Sequence, residues 1–435
     1  MFEYIQSIFR SKVLRSKILY TLGIVFLFRL LAQIPVPGST PGVLKAIFAQ
    51  NQAIGFFNAL MGGTMESFSI VLMGLAPYIN ASIIIQLLTV ISPKMEALSK
   101  EGERGQQKLT QYTRWLTLPL AFLQSYGMIL LLNNLGASVP GAGQVFDPQY
   151  IVFGMCSVTA GTLLLLWLGD LISEKGIGNG ISILIFVGII SGIPAIVAQT
   201  FQITSLQSSS VLGVALLVAI TLALTVFVIW FTEAARKIPV TYGAHAAKIS
   251  SDKSALPIRV NQAGMIPIIF AVSLITFPSI LAQLMQSSSV PWVAAVAQWV
   301  MLYFNPGNPG IWYILGYFVL VIAFSYFYVS IVFQPAQVAE NIQKRGGFVP
   351  GIRPGKETEK YLAKVSDHLN LWGGLFLAAV AVFPYLFQSF TQSLGAGNIP
   401  LLISGAGLII VVGVILEIVR QINGELIMHD YDKFY

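Results

Sequence analysis

The chain has 435 residues, 55% of them hydrophobic and only 10% charged, with 25 Lys and Arg against 18 Asp and Glu. A soluble domain carries about 25% charged residues, so this composition excludes a water-soluble globular protein and makes lipid the solvent for most of the chain. The net charge of +7 does not single out nucleic acid as a partner, because the basic residues are scattered over the tails and the loops between apolar runs, where topology and nearby anionic lipid account for most of them.

A helix needs about 20 apolar residues to cross the hydrocarbon of a bilayer. Ten runs approach that length, at approximately 18–34, 68–92, 113–133, 150–169, 178–200, 211–232, 263–285, 311–333, 370–390 and 400–420. Of the 25 basic residues, Lys45 alone falls in an outer loop and Arg29 lies within the first run; the remaining 23 lie in the two tails and the even-numbered loops, counting Arg114 and Arg420 at the inner edges of their runs. This positive-inside pattern predicts ten spans with both termini cytoplasmic. Ten divides as five plus five, and an odd number per half makes any structural repeat an inverted one. The halves are expected at residues 1–200 and 201–435.

The first run follows Arg10, Lys12, Arg15 and Lys17, in the manner of a signal peptide. No small-residue cleavage site follows, and Pro35 and Pro37 end the run, so it reads as a retained span. Next comes GFFNALMGG at Gly55–Gly63, with Thr64, Met65 and Glu66 after it. A glycine-bracketed segment about half a membrane thick does not span. It reads either as a buried interfacial helix or as a short displaceable element in a cavity. In GLAPYINASIIIQLL, Gly74–Leu88, Pro77 removes a helix hydrogen bond while Asn80, Ser82 and Gln86 bring polar groups to membrane depth. Interhelical hydrogen bonds and the lining of a pathway both account for them. The lone cysteine, Cys156, sits in an apolar run and allows no disulfide within the chain.

KGIGNGIS at Lys175–Ser182 matches neither glycine fingerprint of a phosphate loop and reads as a tight structural turn. The outer loops around 201–210 and 286–310 carry no charge and are expected to be passive connections. The inner loops 233–262 and 334–369 differ, being far longer than the usual connection of about 4–6 residues. The first holds Arg236, Lys237, Lys248, Lys253 and Arg259; the second holds Lys344, Arg345, Arg353, Lys356, Lys360 and Lys364. Within the second, RGGFVPGIRPGKETEKYL at Arg345–Leu362 combines Pro350 and Pro354 with four glycines, which predicts a stiff turned finger with Arg353 at its tip. An arginine held in this way suits a partner's carboxylates or an RNA phosphate.

Chemistry at membrane depth is missing from the sequence. The acidic residues fall in loops or at span ends, His245, His368 and His429 are all cytoplasmic, and no carboxylate pair, Ser/His pair or P-loop is present. This excludes an intramembrane protease and a carboxylate-coupled carrier. No enzymatic activity, metal or other cofactor is expected. The chain offers a passage without a motor, and the energy has to come from a partner.

Several of these segments together resemble the SecY family, the channel subunits of the bacterial protein-conducting translocon, which has archaeal and endoplasmic-reticulum relatives. They are IPVPG at Ile34–Gly38, GLAPYINASIIIQLL, EGERGQQKLTQYTR at Glu101–Arg114, KGIGNGIS, VNQAGMIPIIF at Val260–Phe270 and FVPGIRPG at Phe348–Gly355. The resemblance covers essentially the whole chain. It implies an all-α integral membrane protein whose ten helices form two inverted five-helix halves, a clamshell around a central pore.

The resemblance implies a plug at Gly55, Phe56, Phe57, Asn58, Ala59, Leu60, Met61, Gly62 and Gly63. It implies a pore ring of Leu75, Ile79, Ile181, Ile185, Ile269 and Ile410, a collar that seals by fit and dewetting. A lateral gate with Asn80, Ile83, Gln86, Ser273 and Phe277 would release transmembrane segments sideways. Docking of the SecA ATPase or the ribosome would fall to Arg353, with Arg236, Lys237, Lys248, Lys253 and Lys344 in support. SecE and SecG are the implied subunits, signal peptides and nascent chains the implied cargo, and SecD/SecF and YidC further membrane partners. The implied location is the bacterial inner (plasma) membrane. An inverted-repeat secondary transporter shares the topology but needs midplane carboxylates or a small-solute site, and an ion channel needs rings of charge or carbonyls where this ring is aliphatic.

Overall fold

The computed structural model describes residues 11–40, 68–138, 145–206, 211–242, 255–285, 290–304, 310–393 and 405–432. Each of the ten predicted spans contains one long helix. These are α1 (Lys12–Leu31), α2 (Ala76–Ile91), α4 (Glu103–Ser138), α5 (Ile151–Lys175), α6 (Gly180–Leu206), α7 (Val211–Glu233), α8 (Ile266–Met285), α10 (Ile311–Val332), α12 (Lys356–Ser393) and α13 (Gly405–Asp432). Among the described residues, four helices are by themselves long and apolar enough to cross a bilayer, or five if α2 counts with the bent α3 (Pro93–Lys100) that follows it. Three others contain shorter apolar stretches, Gly180–Pro194, Val218–Glu233 and Ile266–Thr276. α1 and α4 carry basic residues in their first turns.

The helices face lipid with apolar side chains: Phe26, Trp167, Leu222 and Val319 are all more than half exposed. With both faces apolar, close approach of backbones distinguishes the inward face. A Cβ at Gly161 of α5 would lie 1.9 Å from the Ile70 carbonyl oxygen, and one at Gly405 of α13 would lie 1.9 Å from that of Val380 on α12. At Ser92–Pro93 the chain bends by 102° into α3, with Pro93 in the first helical turn, where its missing N–H costs nothing.

Two expectations are corrected. The second span was expected from residue 68, but its helix starts at Ala76, and residues 68–75 form an irregular segment with Phe68, Ser69, Val71 and Leu72 buried. Phe68 and Gly74 have φ of +42° and +53°, which a helix cannot accommodate. Non-helical backbone survives at such depth because protein satisfies it. The Ile70 N–H donates to the Ile34 carbonyl, and the Ser69 hydroxyl donates to the Leu31 carbonyl. The outer connections are also not bare loops: α6 continues to Leu206, and the region around 286–310 contains a helix of its own, α9 (Pro291–Tyr303).

The two long inner loops fold as one unit. β1 (Ala235–Pro239) pairs antiparallel with β3 (Ala255–Arg259), and β2 (Thr241–Tyr242) reaches across to pair with β4 (Gly347–Phe348) of the other loop. Between them lies a separate apolar core containing Ile238, Val240 and Ile258 from one loop and Ile342, Val349 and Leu362 from the other. α11 (Pro335–Lys344) turns Ala339 and Ile342 into this core and keeps its charges outside. α12, at 38 residues, is about 57 Å long. It therefore runs from this cap into the membrane.

Candidate functional site

The residues of the predicted ring are set by turns at the ends of helices. The turn Lys175–Ser182 is as tight as its glycines suggest. Gly178 has φ +79°, and a Cβ at Gly180 would lie 1.9 Å from the Gly169 carbonyl oxygen. Side chains complete the turn: Ser173 Oγ accepts from the Gly180 N–H at 2.8 Å, and Thr21 Oγ1 on α1 accepts from the Ile177 N–H at 3.1 Å. Asn179 Oδ1 accepts from the N–H groups of Ile181 and Ser182 at 3.1 and 3.2 Å, capping α6. The start of α6 is thereby held, with Ile181 and Ile185 one turn apart on the same side.

Leu75 stands just before α2, Ile269 is in the first turn of α8, and Ile410 lies in the first half of α13. Leu75 and Ile410 are buried in one apolar cluster, and Ile181, Ile185 and Ile269 pack against it. Ile79 packs instead against the neighbouring cluster, which contains Ile83, Ile268 and Phe270. Met265 touches both clusters. Five of the six predicted positions thus meet in one cluster, contributed by elements far apart in the chain. An aliphatic cluster of this kind offers water no hydrogen bond.

Of the predicted gate residues, Ile83 is buried and Asn80, Gln86 and Ser273 are half-buried, while the Phe277 side chain lies outside the described residues. α2 packs directly against α8, with Ile83 and Ile275 in a shared core. Gln86 Nε2 donates to Ser82 Oγ at 3.2 Å within α2 and does not bridge the seam. Ile275 shares that core with Ile83, and the Phe270 ring packs edge-on against Phe324 of α10; the motif reading singled out neither, since an apolar residue in an apolar run carries no distinguishing signal.

The predicted plug, Gly55–Gly63, lies outside the described residues, as do Lys248 and Lys253. Arg353 is exposed on the turn between Gly351 and Gly355, at φ +82° and +101°, and its carbonyl accepts from Thr358 Oγ1 at 2.9 Å at the start of α12. Arg236 and Lys237 are exposed on β1 next to buried Ile238. Lys344 is exposed and paired with Glu340 at 2.7 Å. Arg259, at the end of β3, is held below the ordinary guanidinium value by partial burial and then by Arg420, with Glu233 opposing. Two ion pairs join neighbouring helices, Lys17–Glu425 at 2.5 Å between α1 and α13 and Arg114–Asp170 at 2.7 Å between α4 and α5. Among the described residues no group of His, Cys, Asp and Glu is arranged to hold a metal.

The SecY family model matches residues 69–419. The chain is 41% identical over 446 residues to the protein translocase subunit SecY of Halalkalibacterium halodurans, covering 100% of both chains. It is 37% identical over 433 residues to the protein translocase subunit SecY of Escherichia coli K12, covering 97% of this chain and 93% of that one. Among solved structures it is similar in fold to one described as a protein-conducting channel, with a TM-score of 0.67 at 17% identity over 94% of this chain and 92% of the other. It is also similar to Sec61 in a canine ribosome–channel complex from the endoplasmic reticulum, with a TM-score of 0.63 at 17% identity and the same coverage.

Proposed function

The chain belongs to the SecY family, and on that premise we propose that unfolded secretory polypeptides cross the membrane through the apolar closure formed by Leu75, Ile181, Ile185, Ile269 and Ile410, with Ile79 beside it. The protein is a multi-pass membrane channel of a protein translocase, a conduit rather than a catalytic enzyme. The convergence of aliphatic side chains from both halves of the chain into one cluster supports the pore reading. Such a closure excludes ions at rest and yields to a passing chain without any charged group having to be desolvated.

Transmembrane segments leave between α2 and α8, past Asn80, Ile83, Gln86, Ser273 and Phe277. A seam of mixed polar and apolar lining is cheap to open and is opened in competition by a segment at least as hydrophobic as the gate, so selection works by partitioning. The segment Gly55–Gly63 plugs the outer side at rest. The two halves, 1–200 and 201–435, clamp about this axis, and the membrane is the bacterial inner membrane with both termini cytoplasmic. The cap built from both inner loops receives the motor: Arg353 pairs with acidic groups of SecA or with ribosomal RNA phosphates, supported by Arg236, Lys237, Lys248, Lys253 and Lys344. SecE and SecG brace the clamp.

The test is reconstitution of the chain with SecE in proteoliposomes, adding SecA and ATP and following protease protection of a secretory precursor. Protection that depends on both ATP and the signal peptide is the expected result. An assembled complex that binds SecA and never protects the precursor counts against the pore reading.

A further inference from the structure

The helix α9 is not needed to connect α8 to α10, and its surface is unusual. Trp292, Val296, Trp299 and Leu302 are 68%, 50%, 57% and 70% exposed. They recur at helical spacing along one side, while Ala297 on the other side is 1% exposed and α9 packs against α8. The Ser279 hydroxyl of α8 donates to the Phe304 carbonyl just beyond the end of α9, and the Trp299 ring lies 5.1 Å from that of Tyr303. The helix is thus tied to α8 and turns two tryptophans away from it.

The surroundings identify what covers that side. Between Arg259 and Glu340 the sequence contains no charged residue, so neither α9 nor the helices flanking it carry a charged rim. The spans on either side also end in exposed apolar residues, Met285 at the end of α8 and Ile311 and Trp312 at the start of α10. Tryptophan combines an apolar ring with an N–H donor, which suits the level where acyl chains meet headgroups.

We propose that α9 lies in the membrane interface opposite the two-loop cap, with Trp292, Val296, Trp299 and Leu302 among the upper acyl chains, tethering the end of α8 to the lipid. This goes beyond the pore reading, which assigns α9 no role.

The test compares the parent chain with W292F/W299F, each as the assembled complex in phosphatidylcholine–phosphatidylglycerol vesicles. The difference in tryptophan emission between them reports these two rings. Interfacial helices sit about 5–10 Å into the headgroup and acyl boundary. Lipids brominated near the top of the acyl chain are therefore expected to quench the difference emission more than lipids brominated near the chain end, and aqueous iodide only weakly. Strong iodide quenching without lipid quenching overturns the proposal by placing the side in water. Quenching by neither overturns it by placing a protein or a second copy there, and stronger quenching by the deep bromines overturns it by placing the helix in the hydrocarbon core. If W292F/W299F does not assemble, Leu302→Cys carrying an environment-sensitive fluorophore in a Cys156→Ser chain gives the same comparison.

Discussion

Replacing Ile410 by Asn tests whether the aliphatic cluster is the seal. Ile410 is 7% exposed and shares its cluster with Leu75, Ile183 and Leu184. Burying an isoleucine side chain contributes about 1.5–3 kcal/mol, and an amide left without partners in its place costs about 1–3 kcal/mol. Only the contacts that separate when the pore opens bias the gate; if these are about half, the closed state loses roughly 1–3 kcal/mol, a factor of about 5–150 in the open population. The assay is resting ion conductance of the reconstituted complex in planar bilayers, without motor or substrate, together with transport of a precursor bearing a defective signal. Ile415→Asn, on the same helix but 44% exposed, is the control: it places an amide near lipid and leaves the seal intact. Both leak and tolerance of defective signals should rise for Ile410→Asn alone, and further with Ile79→Gly. An unchanged leak, or an equal rise in Ile415→Asn, refutes the assignment.

Gly180→Ala forces a Cβ to within 1.9 Å of the Gly169 carbonyl oxygen, so the α5–α6 turn has to shift; a loss of several kcal/mol, about 3 or more, is expected, read as failure to recover assembled complex from detergent. Arg353→Glu should impair ATP-driven translocation while assembly stays intact, and normal transport by that variant removes Arg353 from the docking site. Val349→Asp buries a charge in the core shared by the two inner loops, where Val349 is 3% exposed; both loops should then become protease-sensitive together, whereas cleavage confined to 334–369 would contradict a common core. Lys17→Glu breaks the part-exposed pair with Glu425 and should lower the melting temperature only slightly, since such pairs contribute about 0–1 kcal/mol; restoration by adding Glu425→Lys checks the pairing.

Much of the architecture was legible without coordinates because the bilayer imposes local rules. Whether a stretch enters hydrocarbon depends on its summed hydropathy, and which way it crosses depends on nearby Lys and Arg, so ten runs could be counted and each contains a helix. Turn chemistry is equally local: the glycines of Lys175–Ser182 and of the Arg353 finger announced backbone conformations that the structure shows at Gly178, Gly351 and Gly355. Other features depended on partners distant in the chain. Residues 68–75 are apolar enough to read as helix, yet they are irregular because Gly161 admits their backbone and Leu31 and Ile34 satisfy it. The pairing of Thr241 with Phe348 joins two loops that the sequence presents as separate. Hydropathy could not group Leu75, Ile181, Ile185, Ile269 and Ile410; the family resemblance did, and it did not set Ile79 apart as the packing does. In a lipid-soluble chain every helix face is apolar, so hydropathy carries no information about which isoleucine meets which. That choice belongs to close packing, and packing exists only in three dimensions.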